Sequence, residues 1–128
     1  MKRTILIVDD EPNHRAVAGM TLRLAGYRVC DVSSGEEALA TLEELRPDAL
    51  VLDIRLPGID GLTVLDEIRA TQEMRKLPVV LCSAHVASMP DAQVRDPWTG
   101  FVAKPFHPDV LVAELDDLLS ASKPDTSP

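Results

Sequence analysis

The stretch Ala49-Leu50-Val51-Leu52-Asp53, followed by Ile54-Arg55-Leu56-Pro57-Gly58-Ile59-Asp60-Gly61, decides the fold. Four consecutive apolar residues, preceded by Pro47-Asp48 and followed by a Pro/Gly loop, predict a strand buried on both faces. The strand ends on a carboxylate, and the carboxyl ends of strands are where open α/β sheets bind ligands. Asp53 is therefore a candidate for chemistry, although an aspartate in that position also serves as a turn former.

The flanking sequence repeats the pattern. Thr4 to Val8 reads as a first buried strand ending on Asp9-Asp10-Glu11. Pro12 suits the first turn of a helix, where its missing N–H costs nothing. That helix is predicted to run to about Ala25, with Val17, Met20 and Leu24 facing inward at i, i+3, i+7 and Gly26 as the stop. Tyr27 to Val32 follows as a strand. Ser34-Gly35-Glu36-Glu37 is a capping-box pattern opening a helix that buries Ala38, Leu42 and Leu45.

Beyond the central strand, a helix is expected from about Gly61 to Thr71, with Leu65 and Ile68 inside. Pro78 to Ser83 and Gly100 to Lys104 read as two more strands. Pro108 to Ser120 reads as a closing helix, with Leu111, Leu115 and Leu118 at core spacing. Residues 84–99 carry prolines near both ends, so the helix expected there is short or irregular, one or two turns between Asp91 and Arg95 at most. Strands alternating with amphipathic helices predict an α/β, doubly wound, five-stranded parallel sheet. One domain is expected over residues 1–121, with 122–128 a disordered tail or linker.

Composition excludes several classes of function. The chain has 128 residues, 45% of them hydrophobic, and a formal net charge of −8. That charge argues against direct binding of nucleic acid or an anionic membrane by this domain. No apolar run approaches about 20 residues, and the opening Met1-Lys2-Arg3-Thr4 does not lead into a signal sequence. A cytoplasmic location is expected, with Cys30 and Cys82 as buried, reduced thiols in strands.

In such a sheet the ends of strands one, three, four and five share an edge and carry Asp9 and Asp10, Asp53, Ser83 and Lys104. Crowded carboxylates repel unless a cation joins them. A few anionic oxygen ligands suit Mg²⁺, which keeps several waters and accepts phosphate as a co-ligand. Lys104 adds a positive charge and Ser83 a hydroxyl donor, so the edge is built to hold a phosphoryl group on Asp53.

These motifs resemble the receiver domain of two-component response regulators over about residues 3–121. The matching segments are Ile5-Leu6-Ile7-Val8-Asp9-Asp10-Glu11, the stretch Asp53 to Gly61, Ser83-Ala84, and Phe101-Val102-Ala103-Lys104-Pro105-Phe106. The resemblance implies a flavodoxin-like receiver fold with strand order 2-1-3-4-5. It implies that Asp53 accepts a phosphoryl group from a histidine kinase or histidine phosphotransfer protein. Mg²⁺ would be held by Asp10, Asp53 and the backbone carbonyl of Arg55, with Asp9 acting through water. Ser83 and Lys104 would then engage the phosphate, and Phe101 would act with Ser83 as a switch. Lys104-Pro105 would be a cis bond. Arg55 and His85, two residues past Asp53 and Ser83, would flank the phosphoryl group and tune its lifetime, while His14 and His107 are expected to be surface residues.

On that reading the domain is no enzyme beyond its own phosphorylation and slow autodephosphorylation. It signals to an output partner that the sequence does not name. The alternative is a pseudo-receiver that binds partners without phosphorylation. A flavodoxin-like electron carrier is disfavoured because Asp9-Asp10-Glu11 would repel a flavin phosphate. A haloacid-dehalogenase-type phosphatase needs a second aspartate where Arg55 stands. A stand-alone regulator is expected over the N-terminal part of a longer one.

Overall fold

A computed structural model of the chain describes residues 2–84 and 96–122, with side chains to residue 120. The expected turns between Asp91 and Arg95, His85, and the tail beyond residue 122 lie outside the described residues. Five parallel strands run in the order β2-β1-β3-β4-β5: β1 Thr4–Val8, β2 Arg28–Val32, β3 Ala49–Asp53, β4 Val79–Ser83 and β5 Thr99–Ala103. Among the described residues, four helices connect or follow them: α1 Pro12–Leu24, α2 Gly35–Leu45, α3 Gly61–Ala70 and α4 Pro108–Ser122. No described helix is long and apolar enough to cross a membrane.

The two faces of the sheet divide by strand parity, because successive side chains point to opposite sides. Ile5, Ile7, Ala49, Val51, Val80 and Cys82 pack with Ala18 and Leu22 of α1 and Leu111, Leu115 and Leu118 of α4. Leu6, Val8, Leu50, Leu52, Val79 and Leu81 pack instead with Ala38 and Leu42 of α2 and Val64, Leu65 and Ile68 of α3. Both faces of β3 are therefore dry, which is why its sequence is apolar without alternation.

Local chemistry fixes the helix starts. Glu11 caps α1, accepting from Asn13 N at 3.3 Å. Ser34 caps α2, its Oγ accepting from Glu37 N at 3.1 Å, while the Glu37 carboxylate reaches back to Ser33 N at 3.0 Å and Ser33 Oγ at 2.7 Å. Asp60 caps α3 through Thr63 N at 2.9 Å.

Two sequence expectations need correction. The face that α1 buries is Ala18, Gly19 and Leu22, whereas Val17, Met20 and Leu24 are 58%, 63% and 83% exposed. Ala18 and Leu22 of this face pack into the core beneath the sheet, and Gly19 stands over β2, where a Cβ would be in ordinary contact with Val29 at 3.7 Å. The large apolar side chains are left on the outside, beside Val112 and Ala113 of α4. Cys82 is buried, its thiol pushed up to about 12 mainly by burial, but Cys30 is exposed on β2, and both are free. β2 is an edge strand, and none of its residues is fully buried.

Trp98 is half-buried and stacks on Lys76, whose ammonium lies 5.8 Å from the ring centroid. Arg69 binds Asp96 Oδ2 at 3.0 Å, Thr99 Oγ1 at 2.7 Å and the Leu77 carbonyl at 2.8 Å, fixing the start of β5 against the end of α3.

Candidate phosphoryl-acceptor site

The carboxyl ends of β1, β3, β4 and β5 converge, bringing together Asp9, Asp10, Asp53 and Lys104. Carboxylate oxygens of Asp9, Asp10 and Asp53 all lie within 4.8 Å of one another. Asp9 and Asp53 are buried, whereas Asp10 is exposed. The Lys104 ammonium sits 2.5 Å from Asp9 Oδ2 and 3.2 Å from Asp53 Oδ2.

The backbone fixes the other oxygen of each buried carboxylate. Asp9 Oδ1 accepts from Glu11 N at 2.9 Å, and Asp53 Oδ1 accepts from Arg55 N at 3.1 Å. These are the Asx-type turns that aspartate favours, and they leave both Oδ2 atoms facing inward. Lys104 is held by its own backbone, its N–H donating to Ser83 O at 2.8 Å, and the Lys104-Pro105 peptide is cis. Ser83 itself is fully buried at the end of β4.

Gly61 determines how near α3 comes to the end of β3. A Cβ there would fall 2.3 Å from the Asp53 carbonyl oxygen and 2.7 Å from Ile54 Cα, and the Gly61 N–H donates to Ile54 O at 2.8 Å.

The electrostatics follow from burial of like charges. Desolvation pushes the Asp53 carboxyl above the usual aspartate range; the Lys104 charge and the Arg55 N–H oppose this without cancelling it, and the Asp9 charge adds to it. Burial works against the Lys104 charge, but the hydrogen bond to Asp9 and the charges of Asp53 and Asp9 outweigh it and raise its pKa. The site thus pairs a lysine held charged with a carboxylate pressed toward neutrality. A cation between the carboxylates relieves that pressure, and an all-oxygen donor set suits a hard divalent ion. The residues present fit such a metal.

The remaining candidates divide. The Arg55 side chain is exposed, and its amide donates to Asp53. Phe101 is half-buried and packs on the α2–α3 side of the sheet. His107 is exposed, 3.6 Å from Asp109. Two contributors escape the sequence reading. His14 Nδ1 lies 3.2 Å from the Lys104 ammonium and 3.5 Å from Asp9 Oδ2, so His14 is half-exposed yet part of the cluster. Arg15 Nη1 donates to the Asp9 carbonyl at 2.8 Å. Both stand in the first turn of a helix that begins directly after Asp9 and Asp10, and that register is the signal that could have found them.

A parallel sheet of order 2-1-3-4-5 with paired acids and a lysine at its carboxyl edge defines a receiver-type phospho-acceptor fold. The match to the response regulator receiver domain spans residues 5–116, and the chain belongs to that family. Among its relatives is the positive alginate biosynthesis regulatory protein of Pseudomonas aeruginosa, 40% identical over 124 residues, covering 94% of this chain and 47% of that protein. The chemotaxis response regulator CheY4 of Vibrio cholerae has a similar structure, with a TM-score of 0.81 at 25% identity, covering 92% of this chain and 99% of that one. NtrX from Brucella abortus matches with a TM-score of 0.84 at 34% identity, over 96% of this chain and 28% of its own. The chain spans between about a quarter and a half of the length of the first curated relatives it matches.

Proposed function

We propose that the chain is a phosphorylation-controlled switch in which Asp53 accepts a phosphoryl group from a histidine kinase or histidine phosphotransfer protein, with Mg²⁺ as the metal. The observation that carries this reading is the convergence of Asp9, Asp10 and Asp53 within 4.8 Å beside the Lys104 ammonium. Asp10, Asp53 and the Arg55 carbonyl would hold the ion, with Asp9 acting through water, and the ion would supply positive charge to the transferring phosphoryl oxygens. In the transfer, an Asp53 oxygen forms a bond to phosphorus as the phosphorus–nitrogen bond of the donor imidazole breaks, and the imidazole leaves with the electron pair.

The transition state is loose and in-line, so this chain's own residues act by positioning and charge. Arg55 N fixes Asp53 Oδ1, and Lys104 balances the incoming charge. The phosphoryl group adds about two negative charges at the end of β3. Ser83 at the end of β4 and Lys104 respond to that charge by binding its oxygens, and Phe101 on β5 moves with Ser83 to change the surface read by an output protein. Arg55 and His85 tune the lifetime of the phosphorylated state. The only reactions catalysed are the domain's own phosphorylation and slow dephosphorylation, and its place is the cytoplasm.

The test is incubation of the 128-residue chain with acetyl phosphate, with and without Mg²⁺, followed by intact-mass analysis. One phosphoryl adduct is expected only with Mg²⁺ and is lost in Asp53→Asn. An adduct that survives Asp53→Asn, or no adduct on the wild type, refutes the assignment.

A further inference from the structure

The Lys104 ammonium has three N–H donors and no acceptor. Two of its neighbours are the carboxylates of Asp9 and Asp53; the third is His14 Nδ1 at 3.2 Å. An ammonium cannot accept, so a hydrogen bond between these atoms requires Nδ1 to accept and the imidazole proton to sit on Nε2, with Asp9 Oδ2 3.5 Å from Nδ1. The three contacts account for all three lysine protons. The Lys104 side chain is 11% exposed, whereas that of His14 is 53% exposed. His14 therefore stands on the solvent side of the lysine, where water would otherwise take its third proton.

The support behind His14 is rigid. Its helix begins two residues earlier, at Pro12, and is capped by Glu11. The same turn is tied down by Arg15, which donates to the Asp9 carbonyl at 2.8 Å. Asp9 Oδ1 in turn accepts from Glu11 N. The first turn of α1, the end of β1 and the lysine that follows β5 form one connected set of hydrogen bonds. Nothing in the fold requires an imidazole at this half-exposed position, since Ala18 and Leu22 make the core contacts of α1.

We propose that His14 is a positioning residue for Lys104: its Nδ1 is the third acceptor that holds the ammonium beside Asp53, ready for the incoming phosphoryl group. This rests on the reading of Asp53 as phospho-acceptor. A donor group already aimed at the site of developing charge costs no reorganisation during transfer, whereas a loosely hydrated lysine must first be ordered. His14 does not touch the reacting atoms; it acts through Lys104.

Three substitutions separate this role from simple packing. His14→Leu keeps bulk and removes the acceptor. His14→Asn places an amide oxygen near the position of Nδ1. His14→Gln places one farther out, near Nε2. With acetyl phosphate and Mg²⁺, His14→Leu and His14→Gln are expected to label Asp53 about three- to tenfold more slowly, the net value of one hydrogen bond at a half-exposed position, while His14→Asn stays within about twofold of wild type. Equal slowing in all three, or wild-type rates in all three, overturns the proposal.

A second readout needs no phosphorylation. The Lys104 side-chain ¹⁵N signal should show slowly exchanging protons in the wild type and in His14→Asn, and fast exchange in His14→Leu. Identical exchange in wild type and His14→Leu overturns the proposal. Failure of the wild type to label at all indicts the Asp53 reading instead, and the exchange measurement then still decides the role of His14.

Discussion

Replacing Gly61 by alanine tests how the end of β3 is positioned, and the sign of the effect is informative. On helix preference alone, Gly61→Ala would stabilise the protein by up to about 1 kcal/mol, because glycine loses more backbone freedom on folding. The packing opposes this. The new methyl carbon would meet the Asp53 carbonyl oxygen at 2.3 Å, Ile54 Cα at 2.7 Å and the Asp53 carbonyl carbon at 3.0 Å. All three are main-chain atoms of the segment that carries the phospho-acceptor, so no side chain can rotate away. Restoring ordinary contact, about 3.4 Å, moves α3 away from β3 by on the order of 1 Å. Overpacking of this kind costs about 1–3 kcal/mol, and a rigid main-chain neighbour favours the upper end.

Any part of that shift taken up by the end of β3 displaces Asp53, and a misplacement of about 1 Å at a reacting group can cost on the order of 10²-fold in rate. Urea unfolding should therefore show a midpoint lowered by on the order of 1 M, and acetyl phosphate labelling of Asp53 should slow in the same protein. Gly26→Ala is the control. Gly26 has φ +99° and open space around the position a Cβ would take, with no atom within 4 Å, so alanine there costs about 1–2 kcal/mol of backbone strain without altering labelling. A Gly61→Ala protein that is more stable than wild type, or labels at the same rate, refutes the packing argument.

Two further outcomes follow from the site and the core. Burial raises the Asp53 pKa, so the ionised carboxylate is a cost to the fold that is present at neutral pH and relieved as pH falls through its folded pKa. Without metal, Asp53→Asn should be more stable at pH 7 by about 0.5–2 kcal/mol, with the gap closing toward acid; millimolar Mg²⁺ should raise the wild-type melting temperature by linkage and that of the variant less. Equal melting of both proteins at every pH, with no metal effect, would contradict the charge crowding. In α1, Leu22→Ala should cost about 2–5 kcal/mol and Met20→Ala less than about 0.5 kcal/mol in chemical denaturation, and comparable losses would mean that the helix is rotated from the phase described.

The sequence makes the strands and the acid edge legible because both are local signals. Ala49–Asp53 and Thr4–Val8 are apolar runs that end on acid, and their bounds in the structure match the reading. Strand order follows from the resemblance, and parallel pairing puts the strand ends together without further information. The phase of α1 is not legible, because the stripe rule favours large side chains and here Ala18 and Gly19 make the approach to the sheet. The exposure of Cys30 escapes the sequence because a strand's residues do not say whether it lies at an edge. His14 escapes for a different reason: its role depends on the direction of a lysine ninety residues away in sequence, and no local pattern encodes that.

The odd–even division of the strands governs how a change elsewhere in the molecule is felt at Asp53. Ile7, Asp9, Val51 and Asp53 share one parity, and with Val17, Ala18 and Phe106 they line a cleft of about 280 Å³ beside Lys104. Substitutions on the inner face of α1, where Val17 and Ala18 line that cleft, therefore meet the acceptor's surroundings through side chains. Those in α3 reach it through the backbone, where Gly61 lies against the Asp53 carbonyl. Variation of the first kind tunes the chemistry by degrees, whereas variation of the second kind shifts the acceptor bodily, so the two halves of this small molecule offer selection different handles on one carboxylate.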